Sequence, residues 1–321
     1  MKSKISVIIA TRNSERFIGE CIESIMNQDY RNFELIVVDD FSVDSTKKKI
    51  KLMQKNYPVK LIELKQHSGI SKARNNGIKI AQGELIAFTD DDIIATKSWL
   101  TELIKGFTDN KTVSVGGPNL VPKNASEKEK TVDEILGFIS GIGSSYIKKS
   151  DKIIEVKHNP SCNSIYTKEI LEKINGFNEN LSSNEDAELD YKIRKAGFKI
   201  KFNPKAIVFH HRKDSAKKLF NQAFWFALGR MQAIKIHIGM ADWFRIVPSI
   251  SILTSSILLV FGFYSMNFEL FFYFISALFF LLLLISITAM LKYKKICFDY
   301  FVFVVSWFFG YGFGMLKGVI K

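Results

Sequence analysis

Short apolar runs alternate with polar, helix-like stretches along the first part of the chain. Four of the apolar runs are typical of buried strands: 5–10, 35–38, 59–62 and 85–88. Between them, apolar residues recur every three or four positions, which predicts helices that follow residue 14 and cover residues 44–56 and 71–81. Strands that alternate with helices in this way predict an α/β domain with a mainly parallel, doubly wound sheet.

Polar side chains come directly after three of the four predicted strands. They are Thr11 after the first strand, Asp39 and Asp40 after the second, and Asp90, Asp91 and Asp92 after the fourth. Because crossovers between parallel strands are right-handed, these residues are expected to gather at one edge of the sheet, where open α/β sheets bind ligands. Adjacent carboxylates repel one another unless a cation or hydrogen-bond donors offset their charge, and such oxygen ligands suit Mg²⁺ or Mn²⁺. The alternative is a solvated acidic turn that caps the next helix.

Two further polar pairs follow later in the chain. Glu185 and Asp186 open a stretch with helical spacing, where acidic residues can also simply complement the helix dipole. His210 and His211 follow a predicted strand at residues 206–209. The two histidines are candidates for a further metal ligand or a phosphate contact, although paired histidines are more often surface residues.

The charge of the chain is concentrated in its first two thirds. The chain has 321 residues and a net charge of +13. Glu269 is the only charged residue between positions 246 and 291, and Asp299 is the only one between positions 296 and 316. Three stretches are therefore predicted to be helices that cross a bilayer with about 30 Å of hydrocarbon: 247–264, 268–291 and 297–320. The first two could instead form a re-entrant hairpin.

The loop between the second and third predicted spans is basic. It carries Lys292, Lys294 and Lys295. By the positive-inside rule, we expect this loop and the N-terminal domain on the cytoplasmic side of a multi-pass cell-membrane protein. In the third span, Gly310, Gly312 and Gly314 favour close contacts between helices. The basic excess fits an anionic lipid surface better than nucleic acid, since no nucleic-acid-binding motif accompanies it.

The segment that connects the two parts, residues 214–240, predicts an amphipathic helix with basic and bulky aromatic side chains. It lies either in a membrane interface or against the core of the soluble part. Within it, Arg230 is a candidate for a pyrophosphate contact. The predicted organisation is therefore a soluble domain, an interfacial region and a membrane region, with the bounds 1–212, 213–245 and 246–321. Within the first of these, the polar and charged residues 124–130 and the Gly-containing residues 135–145 are predicted to form a mobile region on the acceptor side.

Four motifs of the first part resemble family 2 glycosyltransferases. Residues 6–13 resemble the opening of these proteins, residues 37–46 their V-V-D-D-G-S-x-D-x-T motif, residues 69–77 their G-x-x-x-A-R-N-x-G motif, and residues 90–92 their D-x-D motif. The family also has the pair E-D where this chain has Glu185 and Asp186. Phe41 stands where the family usually has Gly, and Asn178 stands where a later motif usually has Asp.

The resemblance implies a GT-A fold and an inverting hexosyltransferase that uses a nucleotide-sugar, with a preference for UDP. The implied nucleotide-sugar-binding residues are Thr11, Arg12, Asp39, Asp40, Arg74, Asp90 and Asp91. Within this set, Asp40 or Asp39 would accept a hydrogen bond from the base. From the residues alone, helix capping is the alternative for Asp39, and a surface position is the alternative for Arg74.

The resemblance also assigns the chemistry. Asp92 would bind Mg²⁺ or Mn²⁺, with Asp90 facing the metal or the ribose, and His210 and His211 are the further candidate ligands. Asp186 would be the general base, with Glu185 as its partner on donor or acceptor hydroxyls. A carboxylate that removes the proton of a sugar hydroxyl contributes typically 10²- to 10⁴-fold to the rate.

These features together predict a membrane-anchored glycosyltransferase. Its acceptor would be lipid-linked, such as a polyprenyl phosphate, or a glycan, because an active site beside a bilayer suits an amphiphilic acceptor. The chain lacks the Q-x-x-R-W element of processive family members, so transfer of a single sugar is expected. Two alternatives are a nucleotidyltransferase, which would need a Gly-rich phosphate loop that residues 11–13 do not provide, and a non-catalytic membrane scaffold.

Overall fold

The structure is a computed structural model that describes residues 3–140 and 151–320. By internal contacts, the chain divides into two compact units. The first unit comprises residues 1–123, 140–180 and 185–211. The second unit comprises residues 124–139, 181–184 and 212–321. The first unit thus ends within one residue of the predicted boundary at 212, whereas the predicted interfacial region belongs to the same unit as the predicted spans.

The first unit contains all eleven strands of the described chain. In order, they are β1 (Ile5–Thr11), β2 (Phe33–Asp39), β3 (Val59–Glu63), β4 (Leu85–Thr89), β5 (Ile93–Ala95), β6 (Thr112–Gly116), β7 (Asn119–Leu120), β8 (Ile154–Glu155), β9 (Asn163–Thr167), β10 (Lys199–Phe202) and β11 (Val208–His210). The helices of both units, in order, are α1 (Ile18–Met26), α2 (Thr46–Met53), α3 (Ile70–Ile80), α4 (Trp99–Lys105), α5 (Glu127–Ser140), α6 (Lys168–Lys173), α7 (Glu185–Lys195), α8 (Ala216–Ile236), α9 (Trp243–Ser265), α10 (Glu269–Tyr293) and α11 (Asp299–Ile320). A 3₁₀ turn at Ile238–Met240 separates α8 from α9.

Eight strands of the first unit form one mainly parallel sheet, in the order β3-β2-β1-β4-β9-β6-β10-β8. The strands β1 to β4 are parallel to one another, and β9 is antiparallel to both β4 and β6. The remaining three strands form a small second sheet in the order β5-β11-β7. The predicted α/β sheet is therefore confirmed, and the four strands predicted near the N-terminus are its parallel half.

The continuous apolar runs of these strands arise because both faces of the sheet are covered. In β1, Ile5 and Val7 belong to one core cluster, together with residues of α1 and α4. The intervening Ile8 belongs to the other cluster, together with residues of α3 and α7. Because successive side chains of a strand point to opposite faces, a sheet with helices on both faces needs apolar residues at nearly every position.

In the second unit, α8 packs along α11 through glycine. A Cβ atom added at Gly310 would lie 2.4 Å from the carbonyl oxygen of Phe220, and one added at Gly314 would lie 2.1 Å from that of Phe224. Only glycine leaves room for backbones this close. The predicted close helix contacts of the third span are thus present, and the partner at these two positions is α8.

Much of the region predicted to be mobile, residues 124–130 and 135–145, is helical, and its mobility stays a prediction. Residues 127–140 form the helix α5, whereas residues 141–145 lie outside the described residues. The backbone N–H of Ser126 donates to Glu129, and the backbone N–H of Glu129 donates to the Ser126 hydroxyl, which is a capping box. One side of α5 packs in the core of the second unit through Val132 and Ile135. The helical spacing of these two apolar residues is visible in the sequence, but the polar residues and the glycine around them are more typical of a loop.

Three helices of the second unit are long and apolar enough to cross a membrane. They are α9, α10 and α11, with 23, 25 and 22 residues and mean hydropathies of 2.1, 2.7 and 1.4. The predicted spans coincide with them to within four residues at either end. Each is a continuous helix of more than about 30 Å at 1.5 Å per residue, which is the length that crossing requires.

Candidate active site

Three acidic or imidazole side chains meet beyond the end of β4. The antiparallel pairing of β5 with β11 sets Ile93 opposite His210, and Asp92 directly precedes Ile93. As a result, Nε2 of His210 lies 3.1 Å from Oδ1 of Asp92. Single ligand atoms of Asp90, Asp92 and His210 all lie within 4.8 Å of one another. We call these three residues the acidic–histidine cluster.

The acidic–histidine cluster has the composition of a divalent-metal site. It offers two carboxylates and one imidazole, a donor set that suits Mn²⁺ or Mg²⁺ shared with a phosphate. All three side chains are partly exposed, which leaves one side open to solvent or substrate. The residues present therefore fit the metal that the sequence predicts.

His211 does not belong to this cluster. Its ring packs against Phe17, with ring centroids 5.0 Å apart, and its backbone N–H donates to the carbonyl oxygen of Asp92. Adjacent residues of an extended chain direct their side chains to opposite sides, so only one of the two histidines can face the carboxylates. The prediction that His211 is a ligand is not supported by its position.

Arg74 connects the two acidic motifs of the first unit. Its guanidinium lies 2.6 Å from Oε1 of Glu185 and 3.0 Å from Oδ1 of Asp90, although the two acids are far apart in sequence. Only 2% of the Arg74 side chain is exposed, so the alternative interpretation, that Arg74 is a surface residue, is wrong. Two charge-assisted hydrogen bonds offset the cost of burying this cation and its partners.

The carboxyl groups around this arginine are crowded. Burial raises the pKa of Asp90, Arg74 opposes that shift, and Asp92 adds to it. Burial, and then the neighbouring Asp92, raise the pKa of Asp91 to about 7. Burial also raises the pKa of Glu185, against the effect of Arg74. Negative charge is therefore costly here, and a bound cation would lower that cost.

The two acids at the start of α7 have different surroundings. The side chain of Glu185 is 8% exposed and is engaged by Arg74, whereas that of Asp186 is 21% exposed. Oδ2 of Asp186 accepts a hydrogen bond of 3.2 Å from the backbone N–H of Ser161. Asp186 is thus the accessible member of the pair. The predicted contact of Glu185 with sugar hydroxyls stays a prediction, since the described contact of its carboxylate is with Arg74.

Asp39 and Asp40 lie at the end of β2, next to the N-terminus of α3. Asp40 accepts hydrogen bonds from His67 and from the backbone N–H groups of Ser68 and Gly69, at 2.7, 2.7 and 2.9 Å. One carboxylate oxygen of Asp39 accepts from Ser42, and the other is buried without a hydrogen-bond partner among the described residues. Asp40 therefore holds the loop before α3, and Asp39 keeps an acceptor to offer.

The remaining predicted residues of the first unit lie beside these aspartates. The Thr11 hydroxyl donates to Oδ2 of Asp91 at 2.6 Å, and the Arg12 side chain is exposed. Phe41 has a φ of 62°, the left-handed conformation for which the family's usual glycine is suited. Arg230 is a residue of α8 in the second unit, so its pyrophosphate contact stays a prediction.

One group of polar side chains next to Asp186 was not predicted from the sequence. It consists of His158, Tyr166 and Asp190, joined by hydrogen bonds. Asp190 lies four residues after Asp186 and thus on the same side of α7, a spacing that could have indicated it. His158 lies between β8 and β9, outside both strands, and no spacing in the sequence relates it to Asp186.

Comparison with known proteins agrees with this arrangement. Residues 6–175, just over half of the chain, match the family described as Glycosyl transferase family 2. The dolichyl N-acetyl-alpha-D-glucosaminyl phosphate 3-beta-D-2,3-diacetamido-2,3-dideoxy-beta-D-glucuronosyltransferase of Methanococcus voltae is 27% identical over 258 residues, which cover 76% of this chain and 77% of that relative.

Two solved structures share the fold. The mannosyltransferase PcManGT from Pyrobaculum calidifontis, in complex with GDP-Man and Mn²⁺, has a TM-score of 0.58 and 19% identity, over 75% of this chain and 66% of that one. S. aureus TarS 1-349, in complex with UDP-GlcNAc, has a TM-score of 0.52 and 21% identity, over 71% of this chain and 66% of that one. The match thus spans about two thirds of each solved chain, and it identifies the sheet as a GT-A fold. The chain belongs to glycosyl transferase family 2, and it is a glycosyltransferase.

Proposed function

We propose that this glycosyltransferase is an inverting, metal-dependent hexosyltransferase that is anchored in a membrane and takes its sugar from a nucleotide-sugar, with UDP-sugars as the first choice. The observation that carries the proposal is the meeting of the acidic–histidine cluster with the Arg74–Glu185 ion pair, directly beside Asp186. For a hydroxyl to attack the sugar of a nucleotide-sugar, a metal that binds the diphosphate and an accessible carboxylate that takes the hydroxyl proton must lie at one place.

The metal would be held by Asp90, Asp92 and His210. When bound, it would offset the negative charge that develops on the nucleoside diphosphate as the bond to the sugar breaks. The protein's own part is to keep these ligands in place: the β5–β11 ladder holds His210 opposite Asp92, and Arg74 holds Asp90. Ligands that are fixed in advance need not reorganise during the reaction.

Asp186 would act as the general base. As the acceptor oxygen forms its bond to the anomeric carbon, the hydroxyl proton passes to the Asp186 carboxylate, and the bond between that carbon and the diphosphate breaks. The partial exposure of Asp186 and its hydrogen bond from Ser161 support this role, because the carboxylate is both accessible and oriented. Glu185 would orient Arg74 and thereby the metal ligand Asp90.

The nucleotide would bind next to β1 and β2. The unpartnered carboxylate oxygen of Asp39 is suited to accept an N–H of the base, since a buried acceptor without a partner is costly until a ligand satisfies it. Asp40, Thr11, Arg12 and Asp91 would complete this side of the pocket. The solved neighbours bind UDP-GlcNAc and GDP-Man, which supports a nucleotide-sugar donor.

The acceptor would be an amphiphile, such as a sugar linked to a polyprenyl phosphate. Three long apolar helices support association with a membrane. The name of the Methanococcus voltae relative specifies a dolichyl-phosphate-linked sugar as its substrate. With Lys292, Lys294 and Lys295 at the cytoplasmic surface, the catalytic unit would lie on the same side.

The first test is binding of donor and metal. The full chain in detergent is mixed with UDP-, GDP- and dTDP-sugars, with and without Mn²⁺ or Mg²⁺, and thermal stabilisation is measured. Asp92→Asn and His210→Ala are expected to lose the metal-dependent part of the stabilisation, whereas His211→Ala, the matched control, is expected to keep it. Metal-dependent stabilisation that survives in Asp92→Asn would refute the cluster as the metal site.

The second test concerns the base. Sugar transfer to membrane lipid extracts is measured for Asp186→Asn with the donor that stabilises the chain most. We expect donor binding to be kept and the rate of transfer to fall by about 10²- to 10⁴-fold. A rate equal to that of the wild type would show that Asp186 is not the base.

A further inference from the structure

Asp190 is a fully buried carboxylate one helical turn after Asp186. Its Oδ2 atom accepts hydrogen bonds of 2.8 Å from the backbone N–H of Asn159 and 2.8 Å from the His158 ring, and its Oδ1 atom accepts one of 3.1 Å from the Tyr166 hydroxyl. The backbone N–H can only donate, so Oδ2 acts as an acceptor. A carboxylate buried in this way is retained at a cost in free energy, which calls for a role.

His158 links this carboxylate to the proposed base. Its Nδ1 atom faces Oδ2 of Asp190 at 2.8 Å, and its Nε2 atom faces Oδ2 of Asp186 at 3.9 Å. Because Oδ2 of Asp190 accepts, the proton of the neutral imidazole is placed on Nδ1, and the lone pair of Nε2 is directed towards Asp186. The ring is 23% exposed, so protons can exchange with water.

We propose that His158 is a positioning residue that acts through Asp186, with Asp190 holding the imidazole and His158 taking up the proton that Asp186 removes from the acceptor. The inference deepens the proposed function and rests on it. In the first step, the acceptor O–H bond breaks, the proton binds to Asp186, the new bond to the anomeric carbon forms and the nucleoside diphosphate leaves. In the second step, the proton moves from Asp186 to Nε2 of His158. The imidazolium then releases it to water, so that both groups return to their initial state.

The charges around His158 favour this second step. An imidazole ordinarily binds a proton more tightly than a carboxylate. The imidazolium would lie between Asp186 and Asp190, both on α7, and its charge would therefore be stabilised from two sides. Tyr166 is neutral, and the nearby Arg194 donates to the carbonyl oxygen of Lys157 rather than to the ring. The separation of 3.9 Å is longer than a hydrogen bond, so the step needs a small approach of the two side chains or an intervening water.

A merely structural role for His158 predicts different kinetics. The amide nitrogen of Asn can replace Nδ1 and keep the hydrogen bond to Asp190, but the asparagine side chain has no group in the place of Nε2 to take up a proton from Asp186. The variant His158→Asn therefore separates the two roles. If the imidazole only supports Asp190, His158→Asn keeps wild-type activity. If it takes up the proton, kcat falls and the part of the acidic limb of the kcat–pH profile that requires neutral His158 disappears, which leaves the limb that requires ionised Asp186.

The experiment uses the full chain in detergent, the panel donor with the highest rate and membrane lipid extract as acceptor. His158→Asn is expected to lower kcat by at least about tenfold with the donor KM and the thermal midpoint unchanged. Asp186→Asn is measured in parallel. If Asp186→Asn loses activity while His158→Asn matches the wild type in kcat and pH profile, the inference about His158 is wrong and the proposed base stands. If Asp186→Asn keeps the wild-type rate, it is the proposed function that fails.

A measurement without turnover keeps the inference falsifiable if a variant folds poorly. The chain has five histidines, so ¹⁵N-histidine labelling gives a small set of ring signals, and the one lost in His158→Asn belongs to His158. We expect neutral His158 to carry its proton on Nδ1, and Asp186→Asn to lower its titration midpoint, since an anion near Nε2 is removed. A proton on Nε2, or a midpoint that Asp186→Asn leaves unchanged, would overturn the inference.

Discussion

Arg74 is the buried cation on which the arrangement of the acidic motifs depends, and Arg74→Met tests that dependence. Methionine keeps most of the length of the side chain but has no charge. The change leaves the carboxylates of Glu185 and Asp90 without their partner, and their side chains are 8% and 29% exposed. Removal of one partner of a buried ion pair costs about 3–5 kcal/mol, because the remaining charge is buried without compensation. We assign most of that loss to Glu185, since Asp90 can be partly hydrated.

Buried thiols of the first unit provide the assay. Cys21 and Cys162 are buried, and Cys297 is partly exposed. Burial raises the pKa of the Cys21 thiol well above its ordinary value, which further suppresses its reactivity. In a Cys297→Ser background, labelling by a thiol reagent therefore requires the first unit to open. A loss of about 3 kcal/mol or more corresponds to a labelling rate that rises at least about 100-fold.

The matched variant is Arg74→Met combined with Glu185→Gln. The double change removes the uncompensated buried charge, so we expect it to recover most of the stability lost in Arg74→Met. If Arg74→Met is labelled no faster than its parent, the ion pairs do not stabilise the fold. If the double variant is labelled as fast as Arg74→Met, charge burial is not the cause of the loss.

Two further predictions concern helix packing and pH. Gly314→Ala places a Cβ about 2.1 Å from the carbonyl oxygen of Phe224, so we expect the free energy of unfolding to fall by about 1–3 kcal/mol, which would lower the thermal midpoint. In the control Gly19→Ala, the added Cβ meets no neighbouring group within 4 Å, and we expect no loss of stability. The hydrogen bond from Lys201 lowers the pKa of Asp109 to about 2, so its contribution to stability is full above about pH 4 and is lost as the pH falls towards 2. The urea midpoints of the wild type and Asp109→Asn are therefore expected to differ at pH 6 and to converge near pH 2, and an equal difference at both pH values would contradict this origin.

The parallel half of the sheet was predictable because its signals are local. Each of the strands β1 to β4 is a short, largely apolar run between polar turns. The strands β1, β2 and β4 are mostly buried, whereas β3, at the edge of the sheet, exposes Lys60 and Glu63. The three long helices of the second unit were predictable for a similar reason, since a long stretch without charge has few other structures. In these elements, the apolar residues that predict the structure are close together in the sequence.

The second half of the sheet was not predictable in the same way. The strand β9 lies between β4 and β6 and is antiparallel to both, although β6 precedes it by some 50 residues. The sequence of α5 gives a weak helical signal, because polar capping residues and a glycine dominate the segment, although Val132 and Ile135 have helical spacing. Order of strands and partners of helices depend on contacts between distant residues, which no local pattern encodes.

The sequence by itself determined the kinds of residues at the site: a carboxylate cluster after a buried strand, an acidic pair at the start of a helix and two histidines after a late strand. Only the tertiary structure decided which of them meet. It selected His210 over His211 through the pairing of β5 with β11, buried Arg74 between Glu185 and Asp90, and set His158 between Asp186 and Asp190. The physical reason is that chemical type is a property of each residue, whereas a distance of about 3 Å between residues 100 positions apart is fixed by strand register and packing.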